Sequence, residues 1–257
     1  MQVRLITKTT GVIGTEYEDK SIDDIIVGIA RLSSSREVNE LFDEPHKLLR
    51  HCILNQHWSI QEMANLTFEV ITSRAMGREF IRHKSLSPQE FSQRYAVATE
   101  FEPIEIRMQS TNNRQSSTDA FNPVLYDSNG TVITAEDEVE FALDSNKEIY
   151  NNLLKAGVAR ESARMILPET TQTKMYFNGN LRSWISFLNQ RLHKTAQKEI
   201  RLIAEAIRDI VIQEIPVISA ALFNFEDAYD CHIMERIVLE KYGVYNMIKD
   251  NQYKKLK

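Results

Sequence analysis

The sequence predicts an α+β fold in which a small mixed or antiparallel sheet is backed by several helices, including one long helix. Two patterns support this prediction. Three segments alternate between apolar and polar residues as half-buried strands do, namely residues 3–9, 66–71 and 171–177. Longer segments repeat apolar residues every three or four positions, which is typical of helices that bury one face.

The first elements follow one another closely. After the first strand, residues 11–14 predict a turn, and residues 22–32 have helical spacing. Residues 43–45 (Asp-Glu-Pro) resemble an N-cap followed by an early proline, so a helix is expected to begin there and continue through Ile53.

The middle of the chain is less regular. Residues 73–84 have helical spacing, and residues 104–108 predict a short strand. Residues 109–130 are polar and weakly patterned, so we expect a surface excursion there. Thr134 then caps a helix that begins with acidic residues and runs towards Ala156.

The last predicted elements are a turn and the long helix. The dipeptide Asn178-Gly179 is typical of a turn after the third strand. A long helix follows, and its apolar stripe is expected to be buried in the core or against another subunit. The stripe consists of Leu181, Trp184, Leu188, Leu192, Ile200, Ile203, Ile207 and Ile210.

The composition predicts one domain over residues 1–257, since 42% of the residues are apolar and 26% are charged. The formal net charge of −5 disfavours nucleic acid and anionic membranes as partners. No segment approaches the roughly 18 apolar residues of a membrane span. Cys52 and Cys231 are isolated, so neither a disulfide framework nor a metal site is expected, and a cytoplasmic location fits best.

One basic cluster suggests an anion site. Arg74, Arg78 and Arg82 are spaced four residues apart, which predicts three guanidinium groups on one helix face, and His83 and Lys84 follow directly. Such a face binds phosphate or is simply solvated, and the spacing leaves both readings open.

Two other features have a structural and a functional reading. Residues 87–90 and 59–62 have the form of capping boxes, so they could simply begin helices. Arg191 falls on the apolar stripe of the predicted long helix, where a buried guanidinium needs an anionic partner. The alternative is an arginine that extends its charge to solvent at the edge of the stripe.

The segment from Arg82 to Tyr95 resembles the signature RHRxxSxNExSxRY of flavin-dependent thymidylate synthases, and it matches seven of the nine specified positions. Similar matches to this family extend from about residue 28 to residue 200. They include Ala30–Ser33, His57–Glu62, Arg160–Pro168, Asn180–Trp184 and Phe187–Arg191.

The resemblance implies reductive methylation of dUMP to dTMP, with FAD as cofactor, NADPH as reductant and methylenetetrahydrofolate as carbon donor. It also implies a homotetramer whose active sites gather residues from neighbouring subunits. By resemblance, His57, Ser92 and Arg191 are catalytic. The dUMP-binding residues are Arg78, Glu79, Glu90, Phe91, Ser92, Gln93, Arg94, Arg164 and Arg191. The FAD-binding residues are Ser33, Ser59, Glu62, Arg82, His83, Lys84, Glu90, Asn180, Arg182 and Ser186.

Five positions depart from the family pattern. Lys84 and Gln89 replace arginine and asparagine of the signature, and lysine cannot form the bidentate contacts of arginine. Ser186 replaces an asparagine near the flavin, and Thr195 replaces a histidine. Glu79 replaces a glutamine beside the nucleotide, where a carboxylate would repel a phosphate unless another group offsets it.

Two alternatives remain at this point. One is a family member that binds nucleotide or flavin without catalysis. The other is a protein that binds nucleotide or nucleic acid through the Arg74, Arg78 and Arg82 face. The absence of a GxGxxG or GxxxxGK[ST] motif argues against a dinucleotide fold or a P-loop.

Overall fold

The computed structural model describes residues 1–34, 41–42, 45–126 and 129–223. Its strands are β1 (Gln2–Lys8), β2 (Asn65–Ser73), β3 (Ser87–Glu90), β4 (Arg107–Gln109), β5 (Ser117–Ala120), β6 (Val124–Tyr126), β7 (Val132–Thr134) and β8 (Gln172–Asn180). Its α-helices are α1 (Ile22–Ala30), α2 (Pro45–Leu54), α3 (Arg74–Ile81), α4 (Ala135–Lys155), α5 (Arg160–Ala163), α6 (Leu181–Arg191), α7 (Lys198–Glu214) and α8 (Pro216–Leu222). Short 3₁₀ helices cover Arg31–Ser34, Trp58–Met63 and Arg164–Ile166.

The main sheet has four antiparallel strands in the order β1-β2-β8-β3, which confirms the predicted α+β class and its three alternating strands. β2 and β8 form the centre, where Phe68 lies opposite Phe177 and Val70 lies opposite Met175. These four side chains are fully buried on one face of the sheet because strand residues alternate between the two faces. The helices pack on this face.

Aromatic contacts fix the helices on the sheet. The ring centroid of Phe80 in α3 lies 4.5 Å from that of Phe177 and 4.6 Å from that of Phe187 in α6. Trp184 in α6 lies 4.8 Å from Phe68, and its Nε1 donates a hydrogen bond of 3.1 Å to the carbonyl of Leu66. These contacts hold α3 and α6 side by side over β2 and β8.

The predicted turn at Asn178-Gly179 is wrong. Both residues continue β8, opposite Thr67 and Leu66 of β2. The glycine marks a close approach rather than a turn, since a Cβ atom there would lie 2.5 Å from Cδ2 of Leu86 and the Leu86 side chain would have to shift. Long antiparallel pairing with β2 therefore overrides the local turn signal.

The predicted long helix over 181–210 is also wrong, because α6 ends at Arg191 and α7 begins at Lys198. Ala196 is the only apolar residue between 193 and 199, so the apolar stripe is interrupted for almost two turns. In the connection, His193 Nδ1 and Thr195 Oγ1 form a hydrogen bond of 2.7 Å. The longest helix of the described residues is instead α4, with 21 residues.

Other local predictions have mixed outcomes. Thr134 caps α4 in a capping box with Asp137, as predicted. Residues 87–90 form β3 rather than the first turn of a helix, since they pair with β8. The predicted helix start at residues 43–44 lies outside the described residues, but α2 covers most of that helix. The described part of 109–130 includes β5 and β6, whose residues are all exposed.

None of the helices in the described ranges has the length and apolar composition that crossing a membrane requires.

A buried carboxylate joins two ends of the fold. Asp23 in α1 is fully buried, and its oxygens accept hydrogen bonds of 3.1 Å from the backbone N–H groups of Val217 and Ile218 in α8. It therefore satisfies two N–H groups that the first turn of α8 leaves without helical partners. This contact spans 194 and 195 residues of sequence.

We expect Asp23→Ala to lower the free energy of unfolding by about 1–3 kcal/mol, because two buried N–H groups lose their acceptor. Chemical denaturation of the purified variant measures this change. Glu148→Ala, at an exposed position of α4, is the matched control and should stay within about 0.5 kcal/mol of the wild type. Equal stability of Asp23→Ala and wild type would contradict the assigned role.

Candidate active site

Arg191 lies at the centre of a compact polar cluster with Glu79 and His83, here called the Arg191 cluster. Its Nε donates to His83 Nε2 at 2.9 Å, and its Nη1 donates to Glu79 Oε2 at 2.6 Å. Its Nη2 also donates to the carbonyl of Glu79 at 3.3 Å. The expected anionic partner of Arg191 is thus Glu79, and the reading of Arg191 as an arginine that extends to solvent is wrong.

The core positions this cluster. Glu79 precedes Phe80, whose ring stacks on Phe187 of α6, and this contact brings the end of α3 to the end of α6. His83 packs edge-on against Phe187, with ring centroids 4.9 Å apart. Arg191 lies four residues beyond Phe187, about one helical turn along the same face.

A cavity of about 390 Å³ adjoins the Arg191 cluster. Its lining consists of Arg82, His83, Gln190, Arg191, Thr195 and Ala196. No acidic residue lines it, and its walls offer guanidinium, imidazole and amide groups. Such a donor set suits a phosphate or another anion.

The three predicted arginines on α3 do not act together. Arg74 Nη1 donates to Glu90 at 3.1 Å, and Arg78 forms an ion pair of 2.6 Å with Glu169. Arg82 is the C-cap of α3 and is the only one of the three that lines the cavity. Local spacing did not reveal the two acidic partners, because the pairing of β3 with β8 places Glu90 beside Arg74 and Glu169 is distant from Arg78 in the sequence.

A second set of predicted site residues consists of Gln93, Arg94 and Arg164 and is here called the Arg94 set. Arg94 Nη2 donates to Glu161 at 3.1 Å. Both side chains of this pair are more than half exposed, at 58% and 59%, so the guanidinium can exchange partners at little cost. Gln93 Nε2 and Arg164 Nε are buried without hydrogen-bond partners. Buried donors without partners are rare, and they indicate places where a ligand or another chain could contribute an acceptor.

Glu90 is held from two sides. Its Oε1 accepts from Thr173 Oγ1 at 2.9 Å as well as from Arg74. Arg74 was predicted only as part of the basic face of α3, and Thr173 was not predicted as part of the site, because only the pairing of β3 with β8 brings these residues to Glu90. Phe91 and Ser92 follow β3; Phe91 is exposed and Ser92 is partly buried.

The predicted flavin-binding residues form a third set. Glu62 and Arg182 form an ion pair that connects a 3₁₀ helix to α6. Asn180 is the N-cap of α6, and its Oδ1 accepts from the N–H of Ser183 at 2.9 Å. His57 precedes the 3₁₀ helix, is exposed and makes no capping hydrogen bond, whereas its ring contacts that of His51 edge-on at 5.6 Å.

Three more predicted residues, Ser59, Lys84 and Ser186, are exposed. Ser59 lies inside the 3₁₀ helix, so the reading of residues 59–62 as a capping box is wrong. The side chain of Ser33 lies outside the described part of the chain.

Comparison with known proteins identifies the family. The model of the family "Thymidylate synthase complementing protein" matches residues 16–217. A flavin-dependent thymidylate synthase of Synechocystis sp. is 39% identical over 222 residues, which cover 86% of this chain and 99% of the relative. The chain belongs to the flavin-dependent thymidylate synthase family. This confirms the family that the signature at Arg82–Tyr95 indicated.

Other relatives agree with this assignment. A probable flavin-dependent thymidylate synthase of Paramecium bursaria Chlorella virus 1 is 36% identical and covers 86% of this chain and 99% of its own length. The crystal structure of the UMP/dUMP methylase PolB from Streptomyces cacaoi, bound with 5-Br dUMP, shares the fold with a TM-score of 0.66. It is 24% identical, and the alignment covers 86% of this chain and 93% of that chain.

A single chain brings together only some of the site residues that the resemblance to the family predicted. The Arg191 cluster joins Arg191, Glu79 and His83, and the cavity adds Arg82. Among the described residues, no hydrogen bond or ion pair joins this cluster to the Arg94 set or to the Glu62–Arg182 pair. The sequence did not indicate Gln190 as a site residue, although Gln190 lies directly beside Arg191 and lines the cavity.

The charge state of His83 is set by its surroundings. Burial, followed by the positive charges of Arg191 and Arg82, lowers the pKa of His83 from 6.5 to about 4. The ring is therefore neutral near pH 7, and because Nε2 accepts from Arg191, its own proton lies on Nδ1.

This low pKa predicts a specific pH dependence of stability. Between about pH 6.5 and 4 the unfolded chain binds a proton at His83 that the folded protein does not, so the contribution of His83 to stability falls as the pH falls. His83→Gln keeps a hydrogen-bond acceptor but cannot titrate. The unfolding free energies of the two proteins, measured from pH 7.5 to 5, should diverge on acidification, with the wild type losing more. Parallel curves would show that His83 is not held neutral in the folded protein.

Proposed function

We propose that the protein is a flavin-dependent thymidylate synthase that methylates dUMP to dTMP with FAD as bound cofactor. The observation that supports this most directly is the Arg191 cluster beside an acid-free cavity of about 390 Å³. The chain as a whole is acidic, so a cavity lined by basic and polar groups without a carboxylate is a local feature that favours an anion. The names of the relatives agree with the same activity.

The proposal assigns dUMP to the arginines. Arg191 and Arg82 supply donors at the cavity. In the Arg94 set, Arg94 supplies an exposed guanidinium group, and Arg164 supplies a buried Nε that has no partner among the described residues. Ser92 adds a hydroxyl beside Arg94, since its Oγ accepts from the N–H of Arg94 at 3.4 Å. Guanidinium groups that bind the phosphate and the uracil carbonyls hold the ring in place and withdraw electrons from it, which favours attack at the ring.

The proposal assigns the flavin to the predicted flavin-binding residues around Glu62 and Arg182 and to the residues at the edge of the Arg191 cavity. Glu62 and Arg182 hold each other in place, and His83 and Lys84 lie beyond the end of α3. Their mix of charged and polar donors fits the phosphates and the ring edge of a flavin nucleotide. FAD, when bound and reduced by NADPH, supplies the hydride, and methylenetetrahydrofolate supplies the carbon. The exposed ring of His57 is free to stack against a folate.

A thiolate is not required by this arrangement. Burial raises the pKa of the Cys52 thiol, and a buried neutral thiol in α2 is a poor nucleophile. Cys231 lies outside the described residues. Ring activation is assigned to the arginines and to His83, which remains neutral and so can orient Arg191 without adding charge.

The division of the site into three sets supports assembly from several subunits. Arg164 Nε is buried without a partner among the described residues, and large apolar side chains nearby are exposed, including Tyr95 at 81% and Met165 at 77%. A homotetramer in which the Arg94 set of one subunit faces the Arg191 cluster of another would complete the site.

The alternative of a nucleic-acid-binding face on α3 is disfavoured by the ion pairs of Arg74 and Arg78, which neutralise two of its three charges.

The central test is whether the purified protein carries FAD and forms dTMP. We expect a yellow protein with flavin absorbance, and dTMP formation from dUMP that depends on NADPH and methylenetetrahydrofolate. Absorbance spectroscopy and chromatographic detection of dTMP measure the two parts separately. A protein that binds FAD and dUMP but forms no dTMP would indicate a non-catalytic member of the family.

Arg191→Ala should weaken dUMP binding by about tenfold to a hundredfold, because it removes a charge-assisted contact of roughly 1.5–3 kcal/mol. Arg191→Lys should recover only part of the loss, since an ammonium group keeps the charge but not the planar fork. Calorimetric titration of dUMP with FAD saturating measures both. Arg208→Ala, which removes a surface arginine paired with Asp209, is the control and should bind dUMP normally. Unchanged affinity in Arg191→Ala would remove Arg191 from the site.

Glu79→Gln should tighten dUMP binding about threefold to tenfold. The carboxylate of Glu79 binds the guanidinium group of Arg191 and repels a phosphate, whereas glutamine keeps an oxygen acceptor without the negative charge. The same titration measures the change, and Glu148→Gln, which removes a negative charge at an exposed position of α4, separates a general charge effect from the specific one. Weaker binding in Glu79→Gln would show that Glu79 helps to bind the nucleotide by orienting Arg191.

A further inference from the structure

A second cavity of about 280 Å³ lies between the β4–β5 hairpin and the connection from α6 to α7. Five basic residues line it: Arg107, Arg114, Lys194, Lys198 and Arg201. No acidic residue lines it. This is a strong local excess of positive charge in a chain whose formal net charge is −5. We call it the Arg114 cavity.

Carboxylates that pair with two of the lining residues neutralise only part of this charge. Glu105 accepts from Arg107 at 2.9 Å and from Lys198 at 2.6 Å, and Glu199 accepts from Arg107 at 2.6 Å. These bonds anchor Arg107, whose side chain is 11% exposed, and yet its Nε stays buried without a partner.

The remaining cations are less well paired. Arg201 lies 3.9 Å from Glu205, at the limit of an ion pair. Arg114 and Lys194 are exposed and form no ion pair with any residue that the structure describes. Because like charges around one cavity repel each other, an anion there lowers the electrostatic energy of the whole group.

The other lining groups are suited to an oxyanion. Ser116, Ser117 and Thr118 contribute hydroxyl groups from the hairpin. Lys198 begins α7, a helix of 17 residues; the side chain of its N-cap residue Gln197 makes no capping hydrogen bond and donates instead to Glu199 at 2.8 Å. Glu199 itself accepts from its own backbone N–H, so the first turn contributes mainly its dipole to the attraction of an anion.

The Arg114 cavity adjoins the cavity at Arg191. Thr195 and Ala196 line both, so the two cavities meet at the α6–α7 connection. A ligand with one anionic group at Arg191 could therefore extend past Thr195 and place a second anionic group near Arg114 and Lys194.

We propose that the Arg114 cavity binds a phosphate group of a nucleotide ligand, in addition to the anion site at Arg191. The nucleotide character of the ligand rests on the proposed function, whereas the anion site itself rests on the five cations and the shared wall. A nucleotide with two separated phosphates should then bind more tightly than one with a single phosphate.

The test compares adenosine 2′,5′-bisphosphate, adenosine 5′-monophosphate and inorganic phosphate, each titrated into the full-length protein by calorimetry. The bisphosphate should bind wild type about fivefold to tenfold more tightly than the monophosphate, which is a typical gain for partly exposed charge pairs. Arg114→Gln/Lys194→Gln should abolish this advantage. Lys147→Gln/Lys155→Gln on α4 removes the same charge elsewhere and should retain it.

Three results would overturn the proposal. They are equal affinities for the two nucleotides, an advantage that survives in Arg114→Gln/Lys194→Gln, and inorganic phosphate that binds as tightly as the bisphosphate. Thermal unfolding confirms that each variant is folded. FAD content and dTMP formation are measured separately, so a protein that forms no dTMP but shows the expected pattern would refute the proposed enzyme and leave the phosphate site standing.

Discussion

The stack of Phe177, Phe80 and Phe187 is the contact on which the rest of the site depends. It ties the central strand β8 to α3 and α6, and neither helix ends in a defined place without it. Because Glu79 and His83 lie within three residues of Phe80, and Arg191 lies one turn beyond Phe187, the polar cluster follows directly from the aromatic core. Because such a core is closely packed, it fixes the positions of the side chains at its edge.

The Arg191 cluster shows how the protein keeps a guanidinium half-buried without a ligand. Arg191 is 19% exposed, and its carboxylate partner Glu79 is 23% exposed. Leaving such a charge unpaired would be costly, and an internal carboxylate removes that cost. The same carboxylate competes with any phosphate that enters the cavity. Glu79 therefore couples the stability of the free protein to the affinity for the proposed anionic ligand.

Much of the site could be predicted from the sequence, but not its internal pairing. The requirement of Arg191 for an anionic partner followed from its place on an apolar stripe, and the structure supplies that partner as Glu79. The partners Glu169 of Arg78 and Thr173 of Glu90 could not be predicted, because they lie 80 or more residues away and meet Arg78 and Glu90 only through the fold around β8. Spacing along one helix reports which side chains share a face, not what lies opposite.

The sequence by itself determined the class of fold, the positions of the three alternating strands and the family, because apolar periodicity and the signature at Arg82–Tyr95 are local properties of the chain. Only the tertiary structure decided that Asn178-Gly179 continues β8 and that residues 87–90 form a strand. In each case backbone pairing or burial against distant residues outweighed a local signal worth a few tenths to about 1 kcal/mol. Long-range contacts made those decisions, and no window of sequence contains them.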